Sequence, residues 1–210
     1  MRLRKNIIYS FFSIILLSKG VSDINVVSYG WEVFERNSDS RTLALAQSSI
    51  GYPIQNPGTV LLNPALSLSH NNMIGLTHQS RMSGTSNSEF IGFDKYINDS
   101  SWVSVIILYE GVDGIPDTRG ALLDWGLDGI FGTFDVGEGN GSLDEGERLD
   151  VDKIRFFNQN IFGLYGAHSK IFNNWRIGFG LKIILHTIDK EFGIGAGLDI
   201  GAFRNYNNTG

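Results

Sequence analysis

Two neighbouring stretches, WRIGFGLKIILH (175–186) and FGIGAGLDIGAF (192–203), limit what this chain can fold into more than any other feature. In the first, Trp175, Ile177, Phe179, Leu181, Ile183 and Leu185 alternate with Arg176, Gly178, Gly180, Lys182, Ile184 and His186. In the second, Phe192, Ile194, Ala196, Leu198, Ile200 and Ala202 alternate with Gly193, Gly195, Gly197, Asp199, Gly201 and Phe203. Side chains of an extended chain point to opposite faces in turn, so a period of two over about ten residues marks a strand. One face here is unbroken hydrocarbon, and the other is largely glycine with isolated charges. A sheet with one face in water shows that water a richer polar face. A strand of a membrane barrel shows lipid an apolar face and its interior small or polar residues, over roughly 9–11 residues. The pattern therefore predicts an all-β chain, an antiparallel transmembrane β-barrel. Lys182 and Asp199 share the glycine side of this hairpin and are placed to face each other.

Four earlier segments, 72–82, 89–97, 101–110 and 160–171, are expected to be strands with more mixed alternation. Their polar turns at 97–100 and 172–174 are tight. The loop at 83–87, the long excursion at 111–157 and the turn at 189–191 fall at the opposite end. Short turns at one end and longer loops at the other are the asymmetry of outer-membrane barrels. Trp102 and Trp175 then border the short turns, and Tyr109 and Phe192 the other end, as aromatic girdles. Six strands fall short of the roughly eight that closure needs, so the expectation is an incomplete portion of a larger barrel. INVVSYGWEVFE (24–35) is a further strand candidate.

The opening MRLRKNIIYSFFSIILLSKGVS has Arg2, Arg4 and Lys5 before an apolar run, with Ser18, Gly20 and Ser22 after it. This order is that of a secretory signal peptide, residues 1–22, and the run is shorter than the ~20 residues of a spanning helix. Export to the outer membrane is expected. Residues 1–22 carry four bases and no acid, so their removal takes the net charge from −5 to −9. Residues 111–152 hold eleven acids against Arg119 and Arg148, a net of −9, which leaves the remainder neutral. Such a balance offers nucleic acid no electrostatic footprint. The absence of cysteine removes disulfides, thiolate metal sites and cysteine nucleophiles.

Within the acidic segment, VGEGNGSLDEGE (136–147) follows the twelve-position calcium loop, with ligands at positions 1, 3, 5, 7, 9 and 12 and glycine at 6. Glu138, Asn140, Ser142 through its carbonyl, Asp144 and Glu147 take positions 3, 5, 7, 9 and 12, with Gly141 at 6. Val136 cannot ligate at position 1, and Asp135 sits one residue early. Hard oxygen donors at every second residue suit Ca2+, in a structural role that orders a long external loop. A solvated acidic loop is the plainer alternative. No serine-nucleophile elbow, phosphate loop or paired-histidine metal spacing occurs, and the clustered acids lie in a hydrophilic stretch with no apolar pocket. The chain is not expected to be an enzyme.

The chain resembles the PorV/PorQ family of bacterial outer-membrane proteins, relatives of FadL-type transporters of hydrophobic compounds. The residues that carry the resemblance are LALAQSSIGYPIQNPGTVLLNPALSLSH (43–70), with Asn63-Pro64-Ala65 as its turn element, and the hairpin 175–203. The resemblance implies a barrel of about fourteen strands, a partner in membrane lipid, and hydrophobic small-molecule cargo or secretion-system proteins as further partners. It also implies that residues 40–69, within an N-terminal segment 23–71, plug the barrel formed by 72–204. A different class, a secreted calcium-dependent β-sandwich adhesion module, would need a polar outer face on the last two strands.

Overall fold

In the computed structural model, residues 30–50, 54–67 and 71–204 are described. The signal-peptide assignment and the first half of the strand candidate at 24–35, residues 24–29, fall outside them. The alternating stretches fold as strands: β1 Met73–Arg81, β2 Ser86–Asn98, β3 Ser101–Asp117, β6 Arg155–Phe172, β7 Trp175–Ile188 and β8 Glu191–Phe203. Between them, β4 Leu122–Leu123 and β5 Arg148–Leu149 form a separate two-stranded ribbon. The main sheet runs β1-β2-β3-β6-β7-β8, antiparallel throughout.

The six expected strands are present, but no closed barrel forms among the described residues. The sheet is open at β1 and β8. Six strands are too few to curl a sheet onto itself, for which about eight are needed. A second departure concerns the excursion. β3 and β6 stay paired out to Asp117↔Arg155, so the excursion covers 118–154 instead of 111–157. Gly111, Asp113, Gly114 and Pro116 read as loop, yet the ladder absorbs them through a register shift between Val112 and Ile115, where Gly114 takes φ +68°.

The stretch 30–36 is not a strand. Glu32–Arg36 forms a short helix, α1, with Trp31 at its N-cap. A second, α2 (Ser40–Ala44), starts at Asp39, whose Oδ1 accepts from the Arg41 and Thr42 amides at 3.1 and 3.0 Å. Single 3₁₀ turns follow at Ser48–Ile50, Pro57–Leu61 and Pro64–Leu66, the last capped by Asn63 Oδ1 accepting from the Ala65 amide at 2.9 Å.

These short elements pack on the glycine-bearing face of the sheet. Val33, Phe34 and Val60 join Phe90, Ile106, Leu108, Tyr165, Ala167 and Ile184 in one buried cluster. Full burial of such side chains contributes about 1.5–3 kcal/mol each. The glycines make the approach close. A Cβ at Gly92 would stand 2.7 Å from Pro57 Cβ, one at Gly163 3.0 Å from the Phe34 ring, and one at Gly195 3.2 Å from Trp31. At Gly178 a Cβ would overlap the Pro64 carbonyl and the Ala65 amide, which are backbone and cannot rotate away.

Replacing Gly178 by alanine should therefore lift the Asn63–Leu66 turn and destabilise the fold by about 1–3 kcal/mol, the usual cost of overpacking. Gly166→Ala, on the opposite face with no atom within 4 Å of the added carbon, is the control. Denaturant unfolding of the two variants should show a lowered midpoint for the first and little change for the second.

Candidate functional site

Three regions bear on function: the bare face of the sheet, the face covered by the N-terminal elements, and the acidic excursion. On the bare face the register aligns Leu76, Ile91, Ile107, Leu164, Ile183 and Ala196 in one row across all six strands. The next row, Ile74, Phe93, Val105, Gly166, Leu181 and Leu198, is also wholly uncharged. No described element covers them. Phe179 and Leu181 on the inner strand β7 are 58% and 50% exposed, and Ile194 and Leu198 on the edge strand β8 are 71% and 80% exposed. Charge on this face is sparse. His78 and Glu89 bind each other at 2.7 Å, and Lys95 and Lys170 stand near the Asp99–Ser100 and Asn173–Asn174 turns.

Of the four expected girdle aromatics, Trp175 and Phe192 lie on the bare face, exposed, and Tyr109 stacks on Phe162 with ring centroids 5.0 Å apart. Trp102 does not belong with them. It shares the covered face with Ser104 and Ile106, is 2% exposed, and lies under the Arg176 guanidinium at 4.4 Å. Which face a terminal aromatic joins depends on the parity of its strand, and Trp102 is even with the buried set.

On the covered face, Lys182 and Asp199 meet at 2.9 Å, as their shared side of the hairpin predicts. Lys182 also stands over the Trp31 ring at 5.4 Å. Arg176 donates to the Ser67 carbonyl at 3.0 Å and Asn63 to the Ala202 carbonyl at 3.3 Å, tying both ends of the Asn-Pro-Ala turn to β7 and β8.

In the excursion, the six residues assigned to calcium are held by one another and by the backbone. Asp135 accepts from the Asp128 amide at 2.8 Å, and its second oxygen is out of contact with solvent and unpartnered. Glu138 accepts from the Gly132 and Phe134 amides. Asn140 joins Asp144 and the Ser142 amide. Glu147 accepts from Gly126 and from Asp144, both at 2.9 Å. Among the described residues, no three acids or histidines converge into a metal-holding group.

The residue that organises the loop lies outside the twelve-residue template. Asp124 accepts from the amides of Gly139, Asn140 and Gly141 at 2.7, 3.2 and 2.7 Å. These backbone bonds, that from Gly141 foremost, hold its carboxyl below the ordinary carboxylate range. Its sequence signal was the spacing to the glycine run, legible only if the loop folds back on itself. At the base, Arg119 grips Asp117 through two bonds of 2.8 and 2.9 Å and reaches Asp189 at 3.3 Å. That grip lowers the Asp117 carboxyl to about 2.

Comparison with protein-family models, with curated proteins and with solved structures gives no match. The reading of this chain rests on its residues and its fold.

A depressed carboxyl stabilises the fold above its unfolded value, near 3.8 for Asp124, and that contribution is lost as pH falls through the lower native value. Hydrogen exchange should show the Gly139, Asn140 and Gly141 amides protected at neutral pH and released in strong acid. Asp124→Asn should release them at every pH. Protection that survives the substitution would remove Asp124 from its organising role.

Proposed function

We propose that this chain is part of an outer-membrane β-barrel of PorV/PorQ type that passes or binds hydrophobic small molecules or scaffolds surface secretion. The observation that carries this reading is the six-strand aliphatic row on a face no described element covers, opposite a face crowded with glycines and packed with chain. In water, so large an apolar surface is a liability, whereas in acyl chains it is solvated. The dimensions agree. Ten steps from Trp175 to Leu185 at about 3.3 Å give roughly 33 Å of strand, or about 25 Å of height at a tilt near 40°, the height of a barrel's apolar band. Lys95 and Lys170 stand at the short-turn border, where long stems reach lipid headgroups.

In this reading the described strands are a portion of a larger barrel, since lipid tolerates no unpaired sheet edge. The N-terminal elements act as a plug on the interior side. Cargo and secretion partners are carried by the family resemblance. The β-sandwich alternative would require a second sheet against the bare face, and among the described residues the only other sheet is the β4–β5 ribbon.

The excursion is then an external loop, with Ca2+ held by Asp135, Glu138, Asn140, the Ser142 carbonyl, Asp144 and Glu147. The unpartnered buried oxygen of Asp135 and the hard-oxygen donor set support this. The metal would offset repulsion among the acids and order the loop.

Expressed with its leader in a host that has an outer membrane, the protein should need detergent for extraction and should change gel mobility on heating. Leu181→Arg should cost about 2–4 kcal/mol of membrane-folded stability if the site lies near the bilayer midplane. Recovery in detergent-free buffer, with Leu181→Arg tolerated, would favour the secreted module. For the loop, calcium titration should give a saturable spectral change with half-saturation near ~10⁻⁴–10⁻³ M, weakened by Glu147→Gln. A flat titration would leave the loop as a solvated one.

A further inference from the structure

A cavity of about 380 Å³ opens between α1 and the excursion-side end of the covered face. Val33 and Arg36 of α1, Glu110 of β3, Gln159 and Ile161 of β6 and His186 of β7 line it. That volume falls within the range of roughly 300–1,000 Å³ that small-molecule sites occupy. Its apolar part is Val33, fully buried, with Ile161 half-buried beside it. The Gln159 and His186 side chains meet at 3.0 Å.

The charges in this cavity are only partly committed. One oxygen of Glu110 accepts from Arg81 at 2.8 Å and from Asn37 at 3.2 Å, and the other makes no bond among the described residues. Arg36 makes no hydrogen bond or ion pair among the described residues, and it is exposed towards the opening. With Glu32 on the same wall and Arg81 behind Glu110, acids and bases around the cavity balance. A plain hydrocarbon would cover these groups and leave them unpaired, which is costly. A simple anion would meet Glu110, and a simple cation would meet Arg36. A ligand that is neutral overall, with separated charges and an apolar body, meets all three demands.

The geometry points to a site for a small zwitterion of the apolar α-amino-acid class, with its carboxylate on Arg36, its ammonium on Glu110 and its side chain on Val33 and Ile161. This ligand class differs from the hydrophobic cargo that the family resemblance implies. The site also stands whichever solvent bathes the other face of the sheet, so it can fail or hold independently of the membrane reading.

The test is calorimetric titration of the full chain with leucine, and with two analogues that each lack one charge, 4-methylpentanoate and 3-methylbutylamine. Leucine should bind saturably, and each analogue at least about tenfold more weakly, the counterpart of one charge left unpaired. Arg36→Gln, at an exposed helix position that makes no hydrogen bond or ion pair among the described residues, should abolish the preference for leucine over the amine. Absence of saturable leucine binding, equal binding of the analogues, or an Arg36→Gln variant that keeps the preference would each overturn the assignment.

Discussion

The close approach of the Asn63–Leu66 turn to Gly178 and Gly201 is the contact on which the rest of this structure depends. A sheet has two faces, and a chain of short helices and 3₁₀ turns can cover only one of them tightly. Glycine removes the side chains from that face, so backbone packs on backbone, and Arg176 and Asn63 tie the turn to strands more than a hundred residues away in sequence. The hydrocarbon is thereby concentrated on the opposite face. A soluble two-layer protein arranges matters the other way, with its largest apolar side chains facing the covering layer. Here Phe90, Ile106 and Leu108 do so near the centre of the sheet, while most of the remaining aliphatic surface points outward.

The excursion follows a different physical logic. It has almost no apolar core of its own, with Phe131 and Phe134 77% and 91% exposed, and its order comes from carboxylates accepting backbone amides. Asp124, Asp135, Glu138 and Glu147 each clamp a neighbouring turn, and glycines at positive φ, such as Gly139 and Gly141, let successive amides converge on Asp124. Protonating these carboxylates removes the acceptors that hold the turns. Arg119 ties its base to the main sheet by bridging Asp117 and Asp189.

The parts of this architecture legible in the sequence were those with strict local periodicity. Every residue of 175–186 and 192–203 lies on the face its alternation assigns, because a period of two cannot slip without exposing the whole set. What escaped was set by partners distant in sequence. Gly114 and Pro116 punctuate the chain locally, yet β6 draws them into the ladder. The alternation of GWEVFE suggests a strand, but Trp31, Val33 and Phe34 pack on the face of the sheet instead of pairing at its open edges, and the segment coils into α1. Trp102 was placed by its nearness to a turn, whereas the register decides its face. The calcium template spans twelve residues, so it could not include Asp124, which reaches the loop only through the fold.

The most direct test of the account is the solvent that meets the bare face. Because the chain has no cysteine, single cysteines can be placed at each position from 179 to 185 in the protein reconstituted in lipid, spin-labelled, and compared for collision with oxygen and with a water-soluble nickel chelate. Oxygen collision should peak at Phe179, Leu181, Ile183 and Leu185 and fall at the positions between, with nickel excluded from the peaks. Odd positions shielded from both reagents, or freely reached by nickel, would contradict the account.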